Sequence, residues 1–232
     1  MISHHETDIC HIAALPPYLL PPLIVRGDPA NARIARFHYD VFMASLPSHA
    51  AAALALGSCF YRSETPKRVW VLGAFVAMLP DADVLAFRFG IPYQHLFGHR
   101  GFTHSLFFAL LAAAALTLIA LRQAVAGVGR GAVFLYLFLA AASHGALDAM
   151  TNGGLGVAFF APFDDRRIFF PFRPIQVSPI GLARFFSARR AWPVIRSELV
   201  WIWLPAFVLA TTALTLRGIA SRRRVGSSQC PH

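Results

Sequence analysis

Acidic residues are scarce in this 232-residue chain. Only 11 Asp and Glu stand against 21 Lys and Arg, which gives a formal net charge of +10, and Lys67 is the single lysine. Charged residues make up 14% of the chain and hydrophobic residues 56%, whereas a typical globular protein has roughly 25% charged residues. This apolar composition excludes disorder for most of the chain. Because the basic excess reflects missing acids around apolar blocks, it favours a membrane protein over a nucleic-acid-binding one.

Cysteines are also few. Cys10, Cys59 and Cys230 are scattered, which excludes a disulfide framework and a paired-cysteine metal site. No basic segment leads into an apolar run with a small-residue cleavage site, so the N-terminus does not read as a secretory signal. We interpret residues 1–42 as a disordered extension or a segment ahead of a natural start at Met43. We expect a membrane-embedded domain over 43–217 and a basic, frayed tail over 218–232.

Long apolar segments predict membrane spans. Residues 105–121, 132–146 and 199–216 approach the roughly 20 residues that cross a hydrocarbon core of about 30 Å. Residues 50–61 and 69–79 are apolar but too short to span alone. The sequence therefore predicts an all-α, multi-pass helical membrane protein with about three full spans and two shorter apolar helices. A soluble bundle is disfavoured because its helices usually carry a polar stripe.

The rare acids stand near histidines. Between residues 43 and 163 there are only four acidic residues, and three of them, Asp81, Asp83 and Asp148, lie in or beside apolar segments. An unpaired carboxylate inside a membrane costs at least a few kcal/mol. The same stretch contains five histidines. A divalent cation bound by Asp and His side chains together would compensate for this cost of burying the carboxylates.

The candidate ligands form four short motifs. His49 lies at the start of the first short helix, where it could equally be an ordinary helix-terminal residue. Asp81 and Asp83 stand two residues apart, so their charges repel unless a cation lies between them, although an Asp can also cap a helix. His99 and His104 lead into the segment 105–121, and unrelated interfacial histidines are the alternative there.

The fourth motif is His144 and Asp148. Residues four apart share a helix face, so this pair can bind one ion or form a His held by a carboxylate. Because successive spans cross the membrane in opposite directions, His99 and His104 should lie at the same face as this pair. The sequence predicts a metal site there, with the candidate ligands His49, Asp81, Asp83, His99, His104, His144 and Asp148. Seven candidates suit either two ions that share a carboxylate or one ion whose ligands are held by the other residues.

The order of these motifs resembles a known family. PSHAAAALALG, AMLPDADVL, GHRGFTHSLFFALL and SHGALDAMTNGG with APFDDRR resemble the YdjM-like family of membrane-bound, metal-dependent hydrolases, of the LexA-binding, inner membrane-associated type. The resemblance covers residues 43–216, and the family pattern falls on the same seven residues. More remotely, the pattern is similar to zinc-dependent phospholipase C and single-strand-nuclease-type phosphoesterases. It implies a hydrolase in the bacterial inner membrane but identifies no substrate.

The types of ligand limit which metal and which reaction are expected. His and Asp ligands favour zinc, with manganese as the alternative, over calcium, which prefers oxygen ligands. Such an ion lowers the pKa of bound water toward about 7 and polarises a phosphoryl oxygen. We therefore expect hydrolysis of a phosphoester-type bond, with a lipid as one candidate substrate. Asp81, Asp83 and His104 are the expected catalytic residues, and whichever Asp does not bind metal would be the general base.

Arginines follow the last motif. Seven of them lie between residues 164 and 198, where they mark the cytoplasmic side or contact anionic lipids. In a second interpretation, Arg166 or Arg167 holds a substrate phosphate. We expect the metal face to be cytoplasmic.

Two other functions remain open. The protein could be a non-catalytic membrane anchor or regulator, with a structural metal site and basic loops that recruit a soluble partner. An ion or proton pathway is disfavoured because its ligands would spread through the bilayer, whereas these cluster near one side.

Overall fold

Helices make up most of the regular structure. A computed structural model describes residues 42–60, 62, 65–120, 129–179 and 191–227 of the chain. In chain order it contains α1 (Leu46–Ser58), α2 (Lys67–Met78), a 3-10 helix (Leu79–Phe89), a 3-10 turn (Phe102–His104), α3 (Leu106–Ala120), α4 (Arg130–Ala149), α5 (Ala191–Glu198), a π-helical stretch (Leu199–Trp203) and α6 (Leu204–Ser227). Two short strands, β1 (Phe42–Met43) and β2 (Ser178–Pro179), pair in antiparallel fashion. The predicted all-α class is confirmed.

Helix α4 lies at the centre of the bundle. It packs against α1, α2 and α3, and its inward side chains Tyr136, Leu137 and Ala140 are fully buried. Tyr136 reaches toward α2, where a Cβ at Gly73 would collide with the tyrosine hydroxyl. Buried alanines on the surrounding helices allow similarly close approach, as is usual between helices in membranes.

Three of the described helical stretches are long and apolar enough to cross a membrane, which is the number that the sequence predicts. They are Lys67–Phe89, Arg130–Ala149 and Ala191–Ala220. The last stretch packs little of its surface against the protein, and Leu204 and Phe207 are among its exposed side chains. Apolar side chains exposed in this way suit contact with lipid.

One of these three spans differs from the sequence prediction, which was wrong to treat 69–79 as too short to span and, in the part of the chain that the structure describes, 105–121 as a full span. The segment 69–79, expected to be short, continues directly into the 3-10 helix, because Pro80 lies in the first turn, where proline is tolerated. Gly90, with φ of 74°, ends that helix in the left-handed conformation. Within the described residues, the segment predicted at 105–121 is the shorter apolar helix Leu106–Ile119.

The two terminal segments flank the predicted membrane domain. Helix α6 continues to Ser227, so the first part of the predicted tail is helical rather than frayed. The isolated Gly218 costs only about 1 kcal/mol relative to alanine, and arginine is a good helix former. The extension predicted at 1–42 lies almost wholly outside the described residues.

Glu198 links the last helical segment to α1. Its buried carboxylate accepts hydrogen bonds from the Ser45 backbone N–H at 2.7 Å, the Ser45 hydroxyl at 2.6 Å and the Ser48 hydroxyl at 2.8 Å. Trp203 Nε1 donates to Ser48 Oγ at 2.9 Å. Since backbone N–H groups at a helix start lack helical acceptors, Glu198 caps α1 from a distance. The same contacts fix the turn that carries His49.

We expect Glu198→Ala to destabilise the detergent-solubilised protein by about 1–3 kcal/mol, the usual cost of leaving buried donors unpaired. Thermal unfolding measures this change. Asp165→Ala removes an exposed carboxylate and serves as the control, with an unchanged melting temperature. Equal melting temperatures for Glu198→Ala and the wild type would show that these contacts do not stabilise the fold.

Candidate metal centre

The seven predicted side chains lie together at one end of the bundle. Neighbouring helices run in opposite directions, so the starts of α1 and α3 meet the ends of α2 and α4. None of the seven is more than 7% exposed. They are His49 in α1, Asp81 and Asp83 in the 3-10 helix after α2, His99 and His104 before α3, and His144 and Asp148 in α4.

Four of these side chains turn donor atoms toward a common centre: Asp81, His104, His144 and Asp148. His104 Nε2 lies 3.0 Å from His144 Nε2, 3.3 Å from Asp148 Oδ2 and 3.7 Å from Asp81 Oδ1. His144 Nε2 lies 3.4 Å from Asp81 Oδ1 and 3.8 Å from Asp148 Oδ2. Tetrahedral ligands at about 2.0–2.1 Å from zinc are about 3.3 Å apart. The donor spacing therefore fits a single ion.

A backbone contact decides which nitrogen of His144 faces this centre. His144 Nδ1 lies 2.7 Å from the carbonyl oxygen of Ala77. That oxygen can only accept, so Nδ1 carries a proton and donates it, which leaves Nε2 free to bind a metal.

Asp81 supplies the clearest sign that a cation is needed. Both of its carboxylate oxygens are buried and accept no hydrogen bond from the described residues. A buried acceptor without a hydrogen-bond donor costs free energy, and the nearest basic groups are the imidazoles of His144 and His104, 3.4 and 3.7 Å from Asp81 Oδ1. The Asp81 oxygens and the neighbouring imidazole nitrogens therefore fit a divalent cation.

Asp83 is engaged in a different way. Its Oδ1 lies 2.7 Å from His99 Nδ1, and its Oδ2 accepts the Thr103 hydroxyl at 2.7 Å and the Arg100 N–H at 3.2 Å. The same Oδ2 lies 3.1 Å from His104 Nδ1. Asp83 thus holds the far side of the His104 ring, as carboxylates commonly do behind metal-binding histidines.

The charge around His104 is strongly negative. Burial by itself lowers the pKa of an imidazole, but the carboxylates of Asp83, Asp148 and Asp81 raise the pKa of His104 well above its usual value. A nearby negative charge favours the charged form of a base. The cluster therefore attracts a positive charge, which a proton on His104 or a metal ion can supply.

His49 lies beside the four donors rather than among them. Its ring stacks on His144 with centroids 3.8 Å apart, and its Nε2 lies 3.9 Å from Asp148 Oδ1. Both ring nitrogens are buried without a hydrogen-bond partner among the described residues. His49 therefore packs at the edge of the centre without belonging to the group of four donors.

Arg100 belongs to this cluster, although the sequence reasoning did not single it out. It is wholly buried, its Nε lies 3.1 Å from Asp148 Oδ2, and its Nη1 donates to the Gly153 carbonyl at 2.9 Å. The available signal was a charged residue between His99 and His104 in a region with few charges.

A tight loop carries Arg100 inward. Its φ of 61° is in the left-handed region, which is uncommon for a residue with a Cβ. A Cβ at Gly98 would collide with the Pro92 carbonyl, and a Cβ at Gly101 would collide with the Leu96 carbonyl. Only glycine fits at these two positions without a shift of the loop.

The two arginines predicted to hold a substrate phosphate make other contacts. Arg166 pairs with Asp164 at 2.6 Å on the surface, and its hydrogen bonds lower the pKa of the Asp164 carboxyl. Arg167 donates to the carbonyl oxygens of His99 and Tyr93, both at 2.9 Å. Arg167 therefore braces the loop that carries His99. A phosphate-binding role for either residue stays a prediction.

Comparison with known proteins gives the family. A family model described as YdjM inner membrane protein matches residues 43–222. The chain belongs to the YdjM inner membrane protein family. This match covers all seven predicted ligands, and it confirms the predicted YdjM family and inner-membrane location. The hydrolase activity and the LexA-binding type stay predictions.

A relative of known location supports the inner-membrane assignment. Inner membrane protein YbcI of Escherichia coli (strain K12) is 42% identical over 167 residues, which cover 72% of this chain and 95% of that protein. No solved structure matches the chain. Together with the three apolar helices, these relationships place this YdjM-family chain in the lipid bilayer.

In this YdjM-family protein, we expect Asp83→Asn to weaken zinc binding by about 10–100-fold, the usual effect of removing a carboxylate that orients a metal-binding histidine. Competition with a chromophoric chelator in detergent measures the affinity. Asp164→Asn, which changes an exposed carboxylate, should bind zinc like the wild type. An unchanged affinity in Asp83→Asn would contradict the orienting role.

Proposed function

We propose that this protein is a membrane-bound, metal-dependent hydrolase that cleaves a phosphoester-type bond. Zinc, or alternatively manganese, would be held by Asp81, His104, His144 and Asp148. The observation that carries the proposal is the group of four buried donor atoms. The two Nε2 atoms lie 3.0 Å apart, and each lies 3.3–3.8 Å from the two carboxylate oxygens. Asp81 within this group accepts no hydrogen bond from the described residues.

The bound ion would supply a water molecule of lowered pKa and an electrophile for the phosphoryl oxygen. The protein's own residues would orient the site and move protons. Asp83 holds His104 through Nδ1, and the Ala77 carbonyl keeps the His144 proton at Nδ1. Because both oxygens of Asp83 are already hydrogen-bonded, Asp83 is poorly suited to act as the general base.

Asp81 is better suited to accept a proton. The Asp81 oxygens and the His49 ring nitrogens have no hydrogen-bond partners among the described residues. A general base needs a free acceptor within hydrogen-bond reach of the water that it deprotonates. We assign Asp81 to metal binding with a share in proton transfer. Burial lowers the pKa of His49 to about 3, so we assign no proton transfer to His49.

An apolar groove beside the site supports a lipid substrate. It has a volume of about 560 Å³ and is lined by residues that include Leu106, Ser143, Ala146 and Phe159. In α4, Ser143 directly precedes His144 and Ala146 follows it by two residues. Among the other lining residues, the Leu106 N–H donates to the Phe159 carbonyl at 2.9 Å. An acyl chain in this groove would place a lipid headgroup near the end of the bundle that carries the His and Asp residues.

A second candidate function is that of a non-catalytic anchor or regulator with a structural metal. Burial favours it, because none of the four donor side chains is more than 4% exposed. Four protein ligands complete a tetrahedral zinc site, whereas catalytic zinc usually keeps one position for water. In this case the metal would stabilise the end of the bundle.

Hydrolysis separates the two candidates. We expect the zinc-loaded protein in phospholipid vesicles to release phosphorylated headgroup or free phosphate, and a chelator to stop the release. Asp81→Asn should lower turnover by about 100-fold or more, because it weakens both metal binding and proton transfer. Asp164→Asn is the control and should retain activity. A fully zinc-loaded protein that hydrolyses neither phospholipids nor a chromogenic phosphodiester would favour the structural role.

A further inference from the structure

We propose that the centre holds one divalent ion, and that Arg100 supplies the positive charge that a second ion would otherwise bring. The inference rests on the proposed metal centre but does not depend on hydrolysis. Seven candidate ligands are enough for two ions that share a carboxylate. Donor spacing and charge both indicate a single ion.

Donor spacing differs between the inner and outer parts of the cluster. Two ligands at about 2.0–2.1 Å from one ion are about 2.9 Å apart at a right angle and farther apart in a tetrahedron. The closest inner pair, the Nε2 atoms of His104 and His144, lies at 3.0 Å. In the outer part, Asp83 Oδ1 lies 2.7 Å from His99 Nδ1. That separation is a hydrogen-bond length, so a proton rather than an ion lies between this outer pair.

The existing contacts of Asp83 disfavour a second ion at its carboxylate. Its Oδ2 accepts the Thr103 hydroxyl at 2.7 Å and the Arg100 N–H at 3.2 Å. An ion at this oxygen would compete with both hydrogen bonds, and the loss of either would cost free energy. The group formed by Asp83, His99 and His104 therefore orients the inner ligands.

Arg100 lies on the far side of the carboxylate that a second ion would share. Its Nε is 3.1 Å from Asp148 Oδ2, and the same oxygen faces His104 Nε2 at 3.3 Å. A carboxylate bridging two ions would have a cation on both sides. Here a guanidinium, which stays charged at any physiological pH, occupies one side of Asp148.

Charge balance gives the same number of ions. The three carboxylates of Asp81, Asp83 and Asp148 with the guanidinium of Arg100 carry a net charge of about −2 when the histidines are neutral. One divalent cation neutralises this charge, whereas two would leave an excess of about +2 in a buried site. Uncompensated buried charge is strongly unfavourable.

The metal stoichiometry of the purified protein tests the number of bound ions directly. The full-length protein in detergent is stripped with a chelator, saturated with zinc, passed through a desalting column and analysed by mass spectrometry of the metal. We expect about one zinc per chain. Two zinc ions per chain would overturn this inference and leave the proposed hydrolase standing, whereas no retained zinc would overturn the metal centre and both proposals.

A charge-compensated pair of variants tests the role of Arg100. Asp148→Asn leaves a net charge of about −1 and should weaken zinc binding. Adding Arg100→Gln to Asp148→Asn restores a net charge of about −2, so the double variant should bind zinc about tenfold more tightly than Asp148→Asn alone. A double variant that folds and binds zinc no more tightly than Asp148→Asn would overturn the role of Arg100.

The exposed pair Asp164 and Arg166 offers a matched control. Asp164→Asn with Arg166→Gln neutralises an ion pair of 2.6 Å on the surface and should leave zinc affinity unchanged. Circular dichroism and gel filtration establish that each variant is folded. The wild-type stoichiometry tests the number of ions even where a variant fails to fold.

Discussion

The buried negative charge of Asp81 and Asp148 is the constraint on which the rest of this structure depends. Both carboxylates are buried with His104 and His144 at one end of an apolar bundle. Carboxylates in such surroundings need a compensating cation. Arg100 neutralises one of the three carboxylate charges of Asp81, Asp83 and Asp148, and the remaining charge of about −2 is what a divalent ion would balance. The surrounding contacts hold these groups close together despite their mutual repulsion.

The fold provides those contacts from several directions. Alternating helix directions bring the ends of α2 and α4 to the starts of α1 and α3, so that short-range motifs meet in space. The tight loop with glycines at 98 and 101 directs Arg100 inward. Glu198 caps α1 and so fixes the turn that carries His49. Stability at this end of the bundle and the geometry of the centre therefore rest on the same residues.

Much of this arrangement was predictable because polar residues are conspicuous in an apolar sequence. The scarcity of acids drew attention to Asp81, Asp83 and Asp148, and alternation of helix direction predicted that the motifs would meet. The different tasks of Asp81 and Asp83 were not predictable, because they depend on hydrogen bonds from Thr103 and the Arg100 backbone. The role of Arg100 was not predictable either, because only the tertiary packing distinguishes its buried guanidinium from those of the other arginines. The continuation of α2 as a 3-10 helix depends on how Pro80 is accommodated.

X-ray absorption at the zinc edge tests the central claim, that this buried cluster is a metal centre, most directly. For the zinc-loaded protein we predict four nitrogen or oxygen ligands at about 2.0–2.1 Å, with the outer-shell scattering of two imidazoles. His144→Asn should reduce the imidazole contribution to one ring. A spectrum without imidazole scattering, or one typical of hydrated zinc, would contradict the account.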